Sequence, residues 1–235
     1  IVFPLSNINA EGENIGAIGK DGFDKCFTLK GKQYSYSQHA SDIDNSGKSF
    51  LHIDNIGKYS MKFYNIIKSV TSANGIIFVF SQFIKAGVLP LALALEECGF
   101  TGYAGNGVEQ NLLDIKDKDR FCAVNLKYES QLDENEKLTF RPAKYVLLTA
   151  EDTSVKQRNQ IVKEARGEIG GENIYGEDIK IILGTRVVEQ GVSLKRVREV
   201  HVLEPWHHLN QQHQSEGRAF RYKSHDALPD NMRNV

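Results

Sequence analysis

From residue 75 onward the chain alternates short unbroken apolar runs with segments of helical pattern, and this alternation leaves few folds open to it. "GIIFVF" (75–80) has no polar residue at every second position, so it reads as a strand buried on both faces. "PLALALEECGF" follows, with Pro90 suited to a helix start and Gly99 to its end. "KYVLLTA" (144–150) is a second strand, and "DTSVKQRNQIVKEARG" (152–167) an amphipathic helix with Asp152, Thr153 or Ser154 available as its cap. "DIKIILGT" (178–185) and "REVHVLEP" (198–205) are a third and a fourth strand. Strands and helices in alternation predict an α/β domain over 71–235, a parallel sheet with helices on both faces, whose ligands bind beyond the carboxyl ends of the strands. The charged stretch at about 101–143 ("DIKDKDR", "ESQLDENEK") reads as a surface insertion. Residues 1–70, rich in Gly, Asn, Ser and Lys, read as an irregular N-terminal extension with one helix at Lys58–Val70.

Composition removes several functional classes. Lys and Arg total 29 against 30 Asp and Glu, so no global basic field draws in nucleic acid and any such contact must be local. Cys26, Cys98 and Cys122 are odd in number and far apart, which argues against a disulfide framework or structural zinc and points to a reducing compartment. No apolar run approaches the roughly 20 residues of a membrane span, and the first residues lack a signal-peptide layout. A chain that begins at Ile1 and stops at "MRNV" reads as a piece of a longer protein.

Several short motifs fail on chemistry. "DNSGKS" (44–49) ends like a phosphate loop, but residue 42, where the leading glycine belongs, is Asp42. Read as a calcium loop, the same region puts Ile53 where a bidentate Glu is required. "GNG" at 105–107 is too short for a dinucleotide fingerprint. His207, His208 and His213 match no standard metal spacing, so no metal site is expected. Glu96 and Glu97 read as a solvated helix face.

"QHQSEGRAFR" (212–221) carries the strongest chemical signal. On a helix, Gln214, Gly217, Arg218 and Arg221 lie at i, i+3, i+4 and i+7 and form one face. That face is normally apolar; here it presents two guanidinium groups that stay ionised and bond phosphate oxygens in a fork. The plainer alternative is a solvated face pairing with Glu216. Gly184 and Thr185 end a buried strand, where amides and a hydroxyl face the ligand edge and could bond a nucleic-acid phosphate; Gly191 permits a tight turn beyond them. Ser81 and Gln82 leave another strand at the same edge, with Lys85 just beyond. Trp206 could pack in the core, sit between lobes or stack on a base.

Taken in order, "GIIFVFSQFIKAGVLPLALALEECGF" (75–100), "LLTAEDTSVKQRNQIVKEA" (147–165), "GTRVVEQGVSL" (184–194) and "REVHVLEPWHHLNQQHQSEGRAFR" (198–221) resemble motif IV, the segment after it, motif V and motif VI of superfamily 2 helicases and translocases. The form Q-x-x-G-R-x-x-R is matched by Gln214, Gly217, Arg218 and Arg221. Within that superfamily the phrases "SQFIKAGVLPLALALEECGF" and "LEPWHHLNQQHQSEGRAFR" are similar to helicases of large cytoplasmic DNA viruses. That group comprises African swine fever virus, mimivirus and the poxviruses, with the small subunit of the poxvirus early transcription factor and the viral nucleoside triphosphate phosphohydrolase I among its proteins. Chromatin-remodelling ATPases share Ser81, Gln82 and Trp206 and are the next nearest kin.

The resemblance implies a RecA-like C-terminal lobe that works with an N-terminal RecA-like lobe of the same polypeptide. The other lobe would supply the phosphate loop, hold Mg2+ and provide the catalytic base for ATP. This chain would supply Arg218 and Arg221 to the γ-phosphate, with Gln214, Gly217, Gly191 and Ser193 beside the nucleotide. Ser81, Gln82, Thr153, Arg158, Gly184 and Thr185 would meet the backbone of a DNA or RNA strand. Ser193 stands where many members carry aspartate, and Ala150 with Glu151 replaces the usual glycine before Asp152. Two rival readings stay open, a non-unwinding ATPase or scaffold subunit of a viral transcription complex, and an unrelated doubly wound enzyme for a small nucleotide.

Overall fold

A computed structural model of the chain describes residues 1–4, 17–37, 40, 47–115, 118–149, 154–170, 172–186, 194–204, 213, 217, 224–226 and 228–233. In chain order, β1 (Val2–Phe3) pairs antiparallel with β2 (Ala17–Ile18), and α1 (Gly19–Cys26) leads into a hairpin of β3 (Phe27–Lys30) and β4 (Gln33–Tyr36). A short α2 (Ile53–Ile56) precedes α3 (Met61–Ser72), the helix expected at 58–70, which starts where the Ser60 side chain accepts the Phe63 N–H. Then come β5 (Ile76–Phe80), a π-helical turn (Ile84–Val88), α4 (Leu89–Glu97), β6 (Thr101–Gly105), β7 (Val108–Glu109) and α5 (Glu134–Leu138). β8 (Lys144–Leu148), α6 (Val155–Ala165), β9 (Ile181–Gly184) and β10 (Val197–Val202) follow.

β5 to β10 form one six-stranded sheet in the order β10-β5-β9-β8-β6-β7, parallel throughout except for the β6–β7 edge pair. This is the parallel α/β sheet that the alternating pattern implied. Strand periodicity divides its side chains between two cores. Ile77, Val79, Tyr145, Ile181 and Leu183 face α4, while Ile76, Phe78, Phe80, Val146 and Leu148 face α6. β5, buried at all five positions, lies between β10 and β9 with a core packed on each of its faces, and so needs apolar side chains throughout.

All nine residues of α4 are buried, and its sequence is apolar on every side. A helix with one face on a sheet exposes the other; α4 does not, because the N-terminal residues form a further layer over it. Phe3, Phe23, Phe27 and Phe50 join the same core cluster as Ile77 and Leu93, with edge-to-face and tilted ring pairs 4.9–6.4 Å apart. Fully burying such side chains contributes roughly 1.5–3 kcal/mol each, which is what the otherwise weakly patterned first 70 residues add.

Two expectations require correction. Residues 101–105 lie inside the stretch read as a surface insertion, yet they form β6 in the main sheet beside β8. The strand escaped notice because glycine takes the place of aliphatic side chains: a Cβ on Gly102 would lie 2.1 Å from the Gln110 carbonyl oxygen. Glu96 and Glu97 are not a solvated face; they are 3% and 4% exposed. Glu96 accepts the Leu112 and Leu113 N–H groups, both at 2.7 Å, and the Tyr145 hydroxyl. Glu97 accepts the Tyr36 hydroxyl at 2.6 Å and pairs with Lys118.

Candidate functional site

Parallel strands bring the residues that follow β5, β8, β9 and β10 to one edge of the sheet. Ser81, directly after β5, is fully buried, and its hydroxyl donates to the Glu204 carboxylate at 2.7 Å while accepting the Phe83 N–H at 3.0 Å. The other Glu204 oxygen accepts the Gln82 N–H at 3.2 Å. Glu204 follows β10, so one carboxylate joins the ends of two adjacent strands. Gly87 closes the back of this latch: a Cβ there would lie 2.0 Å from the Ser81 Oγ and 3.2 Å from Glu204. From α3, Lys62 donates to the Leu203 carbonyl at 2.7 Å and holds the β10 end from behind.

At the end of β9 the Gly184 carbonyl accepts the Ser81 N–H at 3.1 Å. Thr185 is buried, and both its N–H (3.2 Å) and its hydroxyl (3.4 Å) are directed to the Leu148 carbonyl at the end of β8. The exposed Arg186 donates to the Gln82 side-chain oxygen at 3.2 Å. On α6, capped by Ser154 accepting the Gln157 N–H, Arg158 donates to the Thr149 carbonyl at 3.2 Å. Lys85, at the π-turn, pairs with Asp24 of α1 at 2.6 Å, and this bond holds the Asp24 carboxyl below the usual range.

Thus Ser81, Gln82, Gly184 and Thr185 converge on one cluster, with Arg158 one strand away. Among the described residues of the cluster, Gln82 and its partner Arg186 present polar side chains outward, while the Ser81 and Thr185 hydroxyls are buried in the chain's own bonds. Gly217 is exposed on helical backbone, and a Cβ built there meets nothing among the described residues. Gln214, Arg218, Arg221, Gly191, Ser193, Thr153 and Trp206 lie outside the described residues. Sequence reasoning missed Glu204, Arg186 and Gly87. The available signal was an acidic residue just beyond a strand and a glycine six positions after Ser81.

Among the described residues no group of three or more His, Cys, Asp or Glu is placed to hold a metal. The described carboxylate of the cluster, Glu204, is already engaged by Ser81 and Gln82. No described helix is long and apolar enough to cross a membrane.

Residues 108–223 match the family described as helicase conserved C-terminal domain. The chain is 29% identical over 176 residues to an Acanthamoeba polyphaga mimivirus protein named as an ATP-dependent RNA helicase, covering 74% of this chain and 24% of that protein. It is 29% identical over 180 residues to the termination factor NPH-I homolog of African swine fever virus (isolate Pig/Kenya/KEN-50/1950), covering 75% and 25%. A killer plasmid pGKL-2 helicase of Kluyveromyces lactis is 40% identical over 63 residues, 27% of this chain and 11% of that protein. The chain thus spans about a quarter of the length of the first two relatives. No solved structure matches it.

Proposed function

Because the chain carries a helicase C-terminal domain, distantly related to NPH-I homologues and helicases of large DNA viruses, we propose that it is the second motor lobe of an ATP-dependent nucleic-acid helicase or translocase. An N-terminal RecA-like lobe of the same polypeptide would complete the motor. The supporting observation is the convergence of the β5, β9 and β10 ends into one rigid rim that carries Gln82 and Arg186 outward. Gln82, Arg186 and Arg158 are the groups of this rim suited to the backbone of a DNA or RNA strand, a contact that is salt-sensitive and blind to sequence. Ser81, Gly184 and Thr185 shape the rim that presents them.

Arg218 and Arg221 complete the nucleotide pocket, with Gln214, Gly217, Gly191 and Ser193 beside it. ATP supplies the phosphoryl group whose transfer drives the lobes, and Mg2+ is held by the other lobe. Guanidinium groups aimed at γ-phosphate oxygens stabilise the charge that gathers there, an effect worth about 10³–10⁵ in rate for related transfers. Alone, this lobe has almost no ATPase activity. Its setting is the host cytoplasm, with viral transcription or replication machinery as partner.

The test compares nucleic-acid-stimulated ATP turnover of the full-length protein with that of Arg221→Ala, which should lose at least about two orders of magnitude. Unchanged turnover removes Arg221 from the pocket, and absent turnover in the unsubstituted protein favours a scaffold subunit.

A further inference from the structure

A cleft of about 440 Å³ opens between the β3–β4 hairpin, the π-turn and the carboxyl ends of β6 and β8. Its volume lies in the range of small-ligand sites. The hairpin is fastened to the sheet's flank where Tyr34 donates its N–H to the Leu112 carbonyl at 2.6 Å and accepts the Asp114 N–H at 2.8 Å. Its tip turns through Gly31 at φ +64°, and Gly31 and Lys32 line the cleft.

Three features select the occupant. Tyr34, Ile84, Leu112 and Leu147 give the cleft broad apolar walls, the surface on which a planar ring packs. Gln110 and Gln157 line it, and a side-chain amide both donates and accepts, so such residues suit the polar edge of a base in more than one orientation, although Gln157 already donates to the Ala104 carbonyl at 3.5 Å. Lys32 and Lys85 lie in its lining, and no carboxylate does among the described residues, although Lys85 shares its charge with Asp24. Apolar walls, amide edges and a cationic mouth match a nucleobase attached to phosphate. The cleft also adjoins the proposed strand track: Lys85 follows Gln82 by three residues, and Gln157 precedes Arg158 on α6.

We infer that this cleft receives one unstacked base of the strand bound along the carboxyl rim. The inference rests on the strand-binding reading above and adds a base contact to an otherwise backbone-directed surface. Lys32 would then meet the phosphate beside the inserted base, and the hairpin would hold the strand in register.

The experiment measures binding of the full-length protein to single-stranded DNA and RNA of one sequence, and to strands of equal length carrying abasic residues. Base-bearing strands should bind about tenfold tighter than abasic ones. Ala104→Phe, which fills the cleft, should abolish that preference while leaving abasic binding unchanged; Gln157→Ala, at an exposed position, should reduce it without disturbing the fold. Lys32→Ala should weaken both ligands alike and lower the salt dependence. Equal affinity for base-bearing and abasic strands, or a preference that survives Ala104→Phe, overturns the inference while strand binding stands. Competition by a free mononucleotide as strong as that by the strand makes the cleft a small-ligand site and also overturns it. If neither strand binds, the strand-binding reading itself falls and takes this inference with it.

Discussion

The Glu204 carboxylate accepts the Ser81 hydroxyl at 2.7 Å, joining two neighbouring strand ends that lie 123 residues apart in sequence. A hydrogen bond to a charged group contributes about 1.5–3 kcal/mol, and here the donor is fully buried. Glu204→Ala should lower stability by about 2 kcal/mol, since the freed Ser81 hydroxyl then donates to its alternative acceptor, the Phe83 carbonyl 3.1 Å away. Glu204→Gln should cost less, because one acceptor survives while the amide NH2 confronts one of the two donors. Urea unfolding of the three proteins checks the order; equal midpoints would show that the latch is not a stabilising contact.

Gly87→Ala attacks the same latch from behind. The added methyl would lie 2.0 Å from Ser81 Oγ and 2.8 Å from its Cβ, distances that no flexible side-chain end can absorb, because Ser81 is short and fully buried. Overpacking of this kind costs about 1–3 kcal/mol. Combining Gly87→Ala with Ser81→Gly removes the clashing atoms, so the pair should recover part of the loss in a double-mutant cycle. Strictly additive destabilisation would contradict the steric account.

Glu96 makes stability depend on pH. Burial raises its carboxyl to about 7, outweighing the lowering by the Tyr145 hydroxyl and the Leu112 and Leu113 N–H groups. A raised carboxyl means that the folded chain holds the proton between the ordinary value near 4.5 and about 7, while the unfolded chain has released it. The stabilisation is complete below about pH 4.5 and disappears as pH rises through 7, a swing on the order of 3 kcal/mol. Glu96→Gln cannot ionise and should flatten that part of the profile. A variant with the wild-type slope between pH 4.5 and 7 would assign the titration elsewhere.

The sheet was largely legible because β5, β8 and β9 are mostly apolar runs of strand length, because the half-buried β10 still sets valines among its polar residues, and because Pro90, Gly99 and Ser154 mark helix ends by local chemistry. β6 was not, since Gly102 and Gly105 answer to neighbours that approach only in the folded chain. The same limit explains Glu96 and Glu97. A helix wheel cannot reveal a second layer over α4, and that layer comes from aromatic residues near the N-terminus with no periodic pattern of their own. At the rim, Gln82 and Arg158 could be picked out by position after a strand or along a helix. The partnership of Ser81 with Glu204 could not, because a contact across 123 residues leaves no local mark. Position after a strand likewise could not show that the Ser81 and Thr185 hydroxyls bond within the chain.

Lys180 acts with the opposite sign. Its side chain is fully buried at the start of β9, its ammonium donates to the Ala73 carbonyl at 2.8 Å, and burial lowers it to about 8, against the raising effect of Glu177 and Glu199. The unfolded chain keeps its proton up to the ordinary 10.5, so between about pH 8 and 10.5 it binds more protons than the folded chain does. Its contribution to stability therefore rises with pH across that window, and below pH 8 the cost of the buried charge applies in full. Lys180→Met keeps the volume and removes the charge; it should gain about 1–2 kcal/mol at pH 7, the relieved burial less the lost hydrogen bond, and little at pH 10. Midpoints of wild type and variant, compared at pH 7 and pH 10, test this through their difference, because Tyr and Cys titrations are common to both. If the difference is the same at both pH values, Lys180 stays charged in the folded chain and the attraction of Glu177 and Glu199 prevails over burial.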